Sequence, residues 1–148
     1  MANDRIQIYT KEEIDNLLQQ QGLSIRGETR ISKDGIITIS RGDTLDIPVW
    51  LKTGNPLMSY DIQLSEGDVV EFRLFTANEK WENPLLRKEC NSDDVIQDGN
   101  YVVFNITSED SLGLDEGVYY YQVKLTYYVN DIQKTTTLIP RRRFYVLN

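Results

Sequence analysis

The chain has 148 residues, with 16 Lys and Arg against 23 Asp and Glu, one cysteine and no histidine. At 40% hydrophobic residues it is expected to bury a single core without disulfide or metal, and lacking histidine it can build no Ser-His, Cys-His or His-metal site. A formal charge of −7 argues against nucleic acid as a partner, the lone Cys90 cannot form an intrachain disulfide, and no signal-like or long apolar run points to a membrane. The expectation is a non-enzymatic chain made and kept in a reducing cytosol, with no cofactor and no metal.

Residues 1–35 read as a helix and a linker. Thr10 and Glu13 have capping-box spacing, Tyr9 and Ile14 stand where a hydrophobic staple would, and acids at 12, 13 and 15 suit the positive end of a helix dipole. Gly22 stops the helix after the run Gln19-Gln20-Gln21. The apolar stripe is narrow, Ile14, Leu17 and Leu18, and burying it is worth roughly 5–9 kcal/mol. About three turns are marginal alone in water, so this helix needs a partner surface for anchoring or oligomerisation. Residues 22–35, with Gly22, Gly27 and Gly35, read as a polar linker with one short strand.

From Ile36 to Asn148 the hydrophobic period is two. Leu45, Ile47, Val49 and Leu51 alternate with Asp46, Pro48 and Trp50; Val70, Phe72 and Leu74 with Glu71, Arg73 and Phe75. Val102, Phe104 and Ile106 repeat the pattern. In the longest run, Tyr119, Tyr121, Val123, Leu125, Tyr127 and Val129 face one way, and Tyr120, Gln122, Lys124, Thr126 and Tyr128 the other. One buried and one wet face is the signature of antiparallel sheet. Turn signals at Arg41-Gly42-Asp43, Gly54-Asn55-Pro56, Ser65-Glu66-Gly67-Asp68, Asp98-Gly99-Asn100 and Asn130-Asp131 separate about seven or eight strands. Pro48 cannot donate to a ladder, which places its strand at an edge or a bulge. The stretch Asp115-Glu116-Gly117-Val118-Tyr119-Tyr120-Tyr121 matches the Asp-x-Gly-x-Tyr-x-Cys corner of immunoglobulin-like folds, with Tyr121 in the cysteine's place. The fold class expected is therefore mainly β: an immunoglobulin-like antiparallel β-sandwich over 36–148 with a short N-terminal α-helix. Asp115, Gly117 and Tyr119 form its structural corner, in which the tyrosine hydroxyl bonds back to upstream backbone.

Charge is uneven. Residues 36–140 hold eight basic and 17 acidic side chains, a net of −9, whereas Arg141, Arg142 and Arg143 stand near the end with no acid after them. Those arginines are candidates for contact with a neighbouring subunit or an acidic partner, against the simpler reading of solvated charge. Trp50, Phe75, Tyr120 and Tyr128 fall opposite the core-facing positions and Trp81 in a loop, so they are candidates for a protein-contact or sugar-stacking surface, against the alternative that extra segments of the sandwich cover some of them. Asn91, Asp93, Asp94 and Asp98 crowd one acidic loop, but their order is not that of an EF-hand, and solvated acids are the favoured reading.

Two stretches carry a resemblance. Ser40-Arg41-Gly42-Asp43-Thr44 with its following strand, Tyr60-Asp61-Ile62, Gly67-Asp68-Val69-Val70-Glu71-Phe72, Leu114 to Tyr121 and Phe144-Tyr145-Val146 resemble the N-terminal domain of phage baseplate upper proteins. Tyr9-Thr10-Lys11-Glu12-Glu13-Ile14-Asp15-Asn16-Leu17-Leu18 resembles a segment that recurs in phage tail-fibre, head-fibre and receptor-binding proteins. The resemblance implies a virion structural protein, made in the host cytoplasm and assembled on a tail, baseplate or head beside other virion proteins. It favours trimers or larger rings of this chain. The rival expectation is a carbohydrate-binding module that reads host surface glycans through Trp50, Trp81 and exposed tyrosines.

Overall fold

The structure is a computed structural model that describes residues 29–55 and 58–148. The expected helix, with Tyr9, Ile14, Leu17 and Leu18, lies outside the described residues. Within them the chain is mainly β. In order run β1 (Arg30–Ile31), β2 (Ile37–Ser40), β3 (Leu45–Trp50), β4 (Lys52–Asn55), β5 (Met58–Asp61), β6 (Val69–Phe75) and β7 (Leu86–Cys90). A 3-10 turn (Ser92–Asp94), β8 (Tyr101–Ile106), the short helix α1 (Ser108–Leu112), β9 (Gly117–Val129) and β10 (Ile132–Leu147) complete it.

Six strands form one sheet in the order β1-β2-β10-β9-β6-β7; β3 pairs with β8, and β4 with β5. Every pairing is antiparallel except β2 with β10, which is parallel. β1, Arg30 and Ile31, lies within the 22–35 segment where one short strand is expected, and it pairs with β2 at the side of the sheet. One core joins the six-stranded sheet to the β3–β8 pair. Ile37, Ile39, Val70, Phe72, Leu74, Tyr121, Val123, Phe144 and Val146 from the former pack with Ile47, Val49, Val102, Phe104 and Ile106 from the latter. These are the even-spaced residues of each alternating run, which is why a period of two produced them.

The hairpin β9–β10 is closed by Asn130 and Asp131, both at positive φ (51° and 63°). Consecutive left-handed residues are what a two-residue type I′ turn requires, and Asn and Asp tolerate them. The β9 alternation holds from Tyr119 to Leu125; at the tip Val129 is exposed, because the hairpin runs out past the core. Register shifts in β10 between Thr137 and Arg142 bracket Pro140, which has no N–H for the ladder. The backbone N–H of Leu51 donates to the Asn100 carbonyl, 3.0 Å, a register that leaves Pro48 facing the open edge of β3. That edge position is the one its sequence required.

At the start of β9 the Tyr119 hydroxyl donates to the Asp115 carbonyl at 2.6 Å, and the ring is 8% exposed. Gly117 opens the strand between the two. Replacing the hydroxyl strands a partly buried carbonyl, so Tyr119→Phe is expected to cost roughly 0.5–1.5 kcal/mol. Tyr120→Phe, on the wetter face, should stay within about 0.5 kcal/mol. Denaturant melts of both variants check the order; the reverse order would mean that the corner bond does not hold the turn. A second tyrosine tie lies deeper. The Tyr121 hydroxyl donates to the carbonyl of Gly35, whose φ of 79° turns the chain into β2. Burial pushes the Tyr121 phenol above its usual pKa, which keeps it a donor.

Candidate interaction surfaces

Of the two readings of the outer face of β6, β9 and β10, exposed aromatics or cover by an extra segment, the second holds at Phe75 and Trp81. Phe75 is fully buried there. The segment from Thr76 to Pro84 folds back over the face and sets Trp81 edge-on to Phe75, with ring centroids 6.4 Å apart. The Arg73 guanidinium lies 4.4 Å and the Lys124 ammonium 4.8 Å from the Trp81 ring centroid. Arg73 also donates to the Trp81 carbonyl at 2.6 Å. Beneath them Glu71, 9% exposed, accepts from Arg73 at 3.0 Å and from Arg87. Trp81 is half-buried among cations of its own chain and is not a free stacking platform.

Arg141 closes the same loop. Its guanidinium donates to the carbonyls of Thr76 (3.1 Å), Ala77 (3.2 Å) and Glu79 (3.3 Å), and sits 5.0 Å from the Phe75 and 4.7 Å from the Tyr120 ring centroids. Arg142 donates to the Asp34 carbonyl and packs on Gly35, where a Cβ would collide with its side chain. Arg143 is exposed, with a 3.4 Å contact to the Tyr145 hydroxyl. The three arginines thus do not form one outward face: two are held by backbone carbonyls of their own chain, acceptors that no side-chain pattern reveals.

Two exposed apolar areas remain. On the outer face of β3–β8, Trp50 is 53% exposed, and its ring centroid is 5.6 Å from that of Tyr101 at a 33° tilt. Asn105 donates to Asp46 at 2.6 Å on the same face. The second set is carried by the β4–β5 and β9–β10 hairpins. Met58 and Tyr60 on β5, and Tyr128, Val129 and Ile132 around the β9–β10 turn, are each between 47% and 60% exposed. A shallow cavity of about 180 Å³, lined by Thr53, Ile62, Leu125, Tyr127 and Thr136, separates the hairpins. Sequence reading marked only Tyr128 of this set, because Met58, Tyr60 and Ile132 sit beside turn signals and carry no alternating run long enough to face.

A third feature is an open groove of about 410 Å³ between β7 and β8, lined by Lys88, Cys90, Ile96, Val103, Asn105 and Thr107. Lys88 crosses its end to pair with Asp110 of α1 at 2.7 Å. Asp110 is held below the usual carboxylate range: its desolvation is outweighed by hydrogen bonds from Lys88 and Thr107. Burial, followed by the charge of Asp94, pushes the Cys90 thiol up to about 11, so it is a weak nucleophile near neutral pH. In the acidic loop, Asn91 and Asp94 cap the 3-10 turn reciprocally. Among the described residues no three metal-ligating side chains converge. Against known proteins, the chain matches no family model, no curated protein and no solved structure.

Proposed function

We propose that this chain is a structural protein of a phage particle, a baseplate, tail or head-fibre component that works through protein–protein interfaces and carries no catalytic site. In this reading residues 36–148 are an immunoglobulin-like sandwich. It is supported by the parallel β2–β10 pair at the side of an otherwise antiparallel sheet and by the tyrosine tie at Tyr119. The observation that carries the functional reading is the exposure on these two hairpins. Met58 and Tyr60 on β5, and Tyr128, Val129 and Ile132 on the β9–β10 hairpin, are large apolar groups left in water, residue types that interfaces favour. Copies of the chain, as trimers or rings, and other virion proteins are the partners; nucleic acid, membrane and cofactor have no part. The N-terminal stripe of Ile14, Leu17 and Leu18 supplies the anchoring element.

Light scattering on the full chain tests the oligomer. Leu17→Asp with Leu18→Asp, and separately Tyr128→Lys with Ile132→Lys, are expected to raise the dissociation constant of the assembly at least about 30-fold, the loss of one hot spot of about 2 kcal/mol. Melting of the β domain should not change. An unchanged mass for both variants, or absence of the chain from fractionated virions by mass spectrometry, would overturn the reading. A glycan-binding module is the second reading, favoured by the exposed Trp50 beside Tyr101. Retention of the chain on a glycan array, lost in Trp50→Ala, would select it.

A further inference from the structure

The cavity of about 180 Å³ between the β4–β5 and β9–β10 hairpins has an acid in its wall. Ile62, Leu125 and Tyr127 give it an apolar lining, Thr53 and Thr136 stand beside them, and Asp68 joins them with a carboxylate. The register brings that acid here: Val69 pairs with Thr126, so Asp68, one residue earlier, comes to the part of β9 that holds Leu125 and Tyr127. Asp68 is 7% exposed. A tight turn fixes it, because the Ser65 N–H donates to its Oδ2 at 2.8 Å and its own N–H donates to the Ser65 carbonyl at 3.0 Å. The opposite wall is fixed too. The Ile62 N–H donates to the Leu51 carbonyl at 2.8 Å, and the Asn100 side-chain amide donates to the Ile62 carbonyl at 3.1 Å. Walls already held in this way lower the cost of ordering a bound group.

We propose that this cavity takes one lysine or arginine side chain from a partner protein, with the alkyl stem along Ile62, Leu125 and Tyr127 and the cationic head at Asp68. The turn needs an oxygen at position 68, and asparagine would supply one; it does not need a charge. Burying a carboxylate among apolar groups is costly, and an entering cation offsets that cost. Lysine and arginine join an apolar stem to a charged tip, which is the order of the lining here. Size agrees: a cavity of about 150 Å³ holds a benzene-sized group, so this one holds one side chain and little more. The chain's net charge of −7 steers basic surfaces towards it. Its own Lys134, which faces Tyr127 across the ladder, is exposed. That the partner is a virion subunit rests on the structural-protein reading above; the site itself does not.

Titration of the full chain with blocked amino acids, followed by NMR at the Ile62 and Leu125 methyls, tests the site. The N-acetyl methylamides of lysine and arginine should bind at least about tenfold more tightly than that of norleucine, which keeps the stem and lacks the charge. Asp68→Asn retains an oxygen for the Ser65 N–H and should bring all three ligands to the norleucine level. Thr136→Phe leaves the carboxylate in place but fills the cavity, and it should abolish the methyl shifts altogether. Equal affinity for norleucine and lysine in wild type would overturn the proposal, as would lysine binding that survives both variants. So would binding of n-butylammonium without binding of blocked lysine, since the ligand would then be a small free amine and not a protein side chain. Selective lysine binding by a chain that is absent from purified virions would support the site and remove only the virion reading.

Discussion

Phe72→Ala is expected to lower the stability of the domain by about 3–5 kcal/mol, the cost of a large aromatic cavity that its surroundings cannot fill. Phe72 is fully buried, stacked on Tyr121 with centroids 5.4 Å apart and tilted against Phe104 at 5.8 Å. It therefore joins β6 and β9 of the large sheet to β8 of the small one. Across the ladder it faces Val123 on one side and Lys88 on the other, so backbone hydrogen bonds hold both neighbouring strands in place. Relaxation into the void is hindered, and the loss falls at the high end for its type. A small domain is stable by about 5–15 kcal/mol, so one substitution removes a large fraction. Urea melts should show a lower midpoint with unchanged slope. A loss under about 1 kcal/mol would mean that the two sheets do not share this core.

The core facing Phe72 was legible in the sequence because it depends only on alternation. Val70, Phe72 and Leu74 on β6, and Tyr119, Tyr121, Val123 and Leu125 on β9, are buried as their period of two requires. The outer layer was not legible, and Phe75 shows why. It falls on the face that alternation marks as wet, yet it is sealed by Trp81 and by Arg141. That cover rests on contacts between Arg141 and backbone carbonyls of residues more than sixty positions earlier. Backbone acceptors carry no sequence signature, so Arg141 and Arg142 looked like free surface charge. The β4–β5 hairpin was hidden for a different reason: Gly54-Asn55-Pro56 marked a turn, but its arms Lys52–Asn55 and Met58–Asp61 are too short to show a period. Of the exposed apolar residues, Trp50 and Tyr128 were marked by type and facing, whereas the exposure of Met58, Tyr60 and Ile132 had no alternating run to announce it.

Among the charged residues of the outer face, Glu71→Gln should be the more damaging change, at about 2 kcal/mol. The Glu71 carboxylate is 12% exposed and receives Arg73 at 2.9 Å, whose own side chain is 17% exposed. Removing the negative charge leaves a largely desolvated guanidinium without its counter-ion, a loss of about 3–5 kcal/mol for fully buried pairs. Residual water access and the Trp81 carbonyl that Arg73 also reaches reduce it here. Arg87 binds the same carboxylate from a side chain that is 49% exposed, and it has Glu89 as a second partner. Arg87→Gln should therefore cost under about 1 kcal/mol, as exposed pairs do, and high salt should erase much of that. The two variants differ in a second readout. Arg73 lies over the Trp81 ring, so loosening it through Glu71→Gln should expose the indole and shift its emission to longer wavelength, while Arg87→Gln should leave it in place. With Trp50 replaced by Phe to remove the other indole, fluorescence reads Trp81 alone. Equal destabilisation by the two variants, or an unmoved Trp81 emission in Glu71→Gln, would show that Arg73 is held by the loop rather than by the carboxylate beneath it.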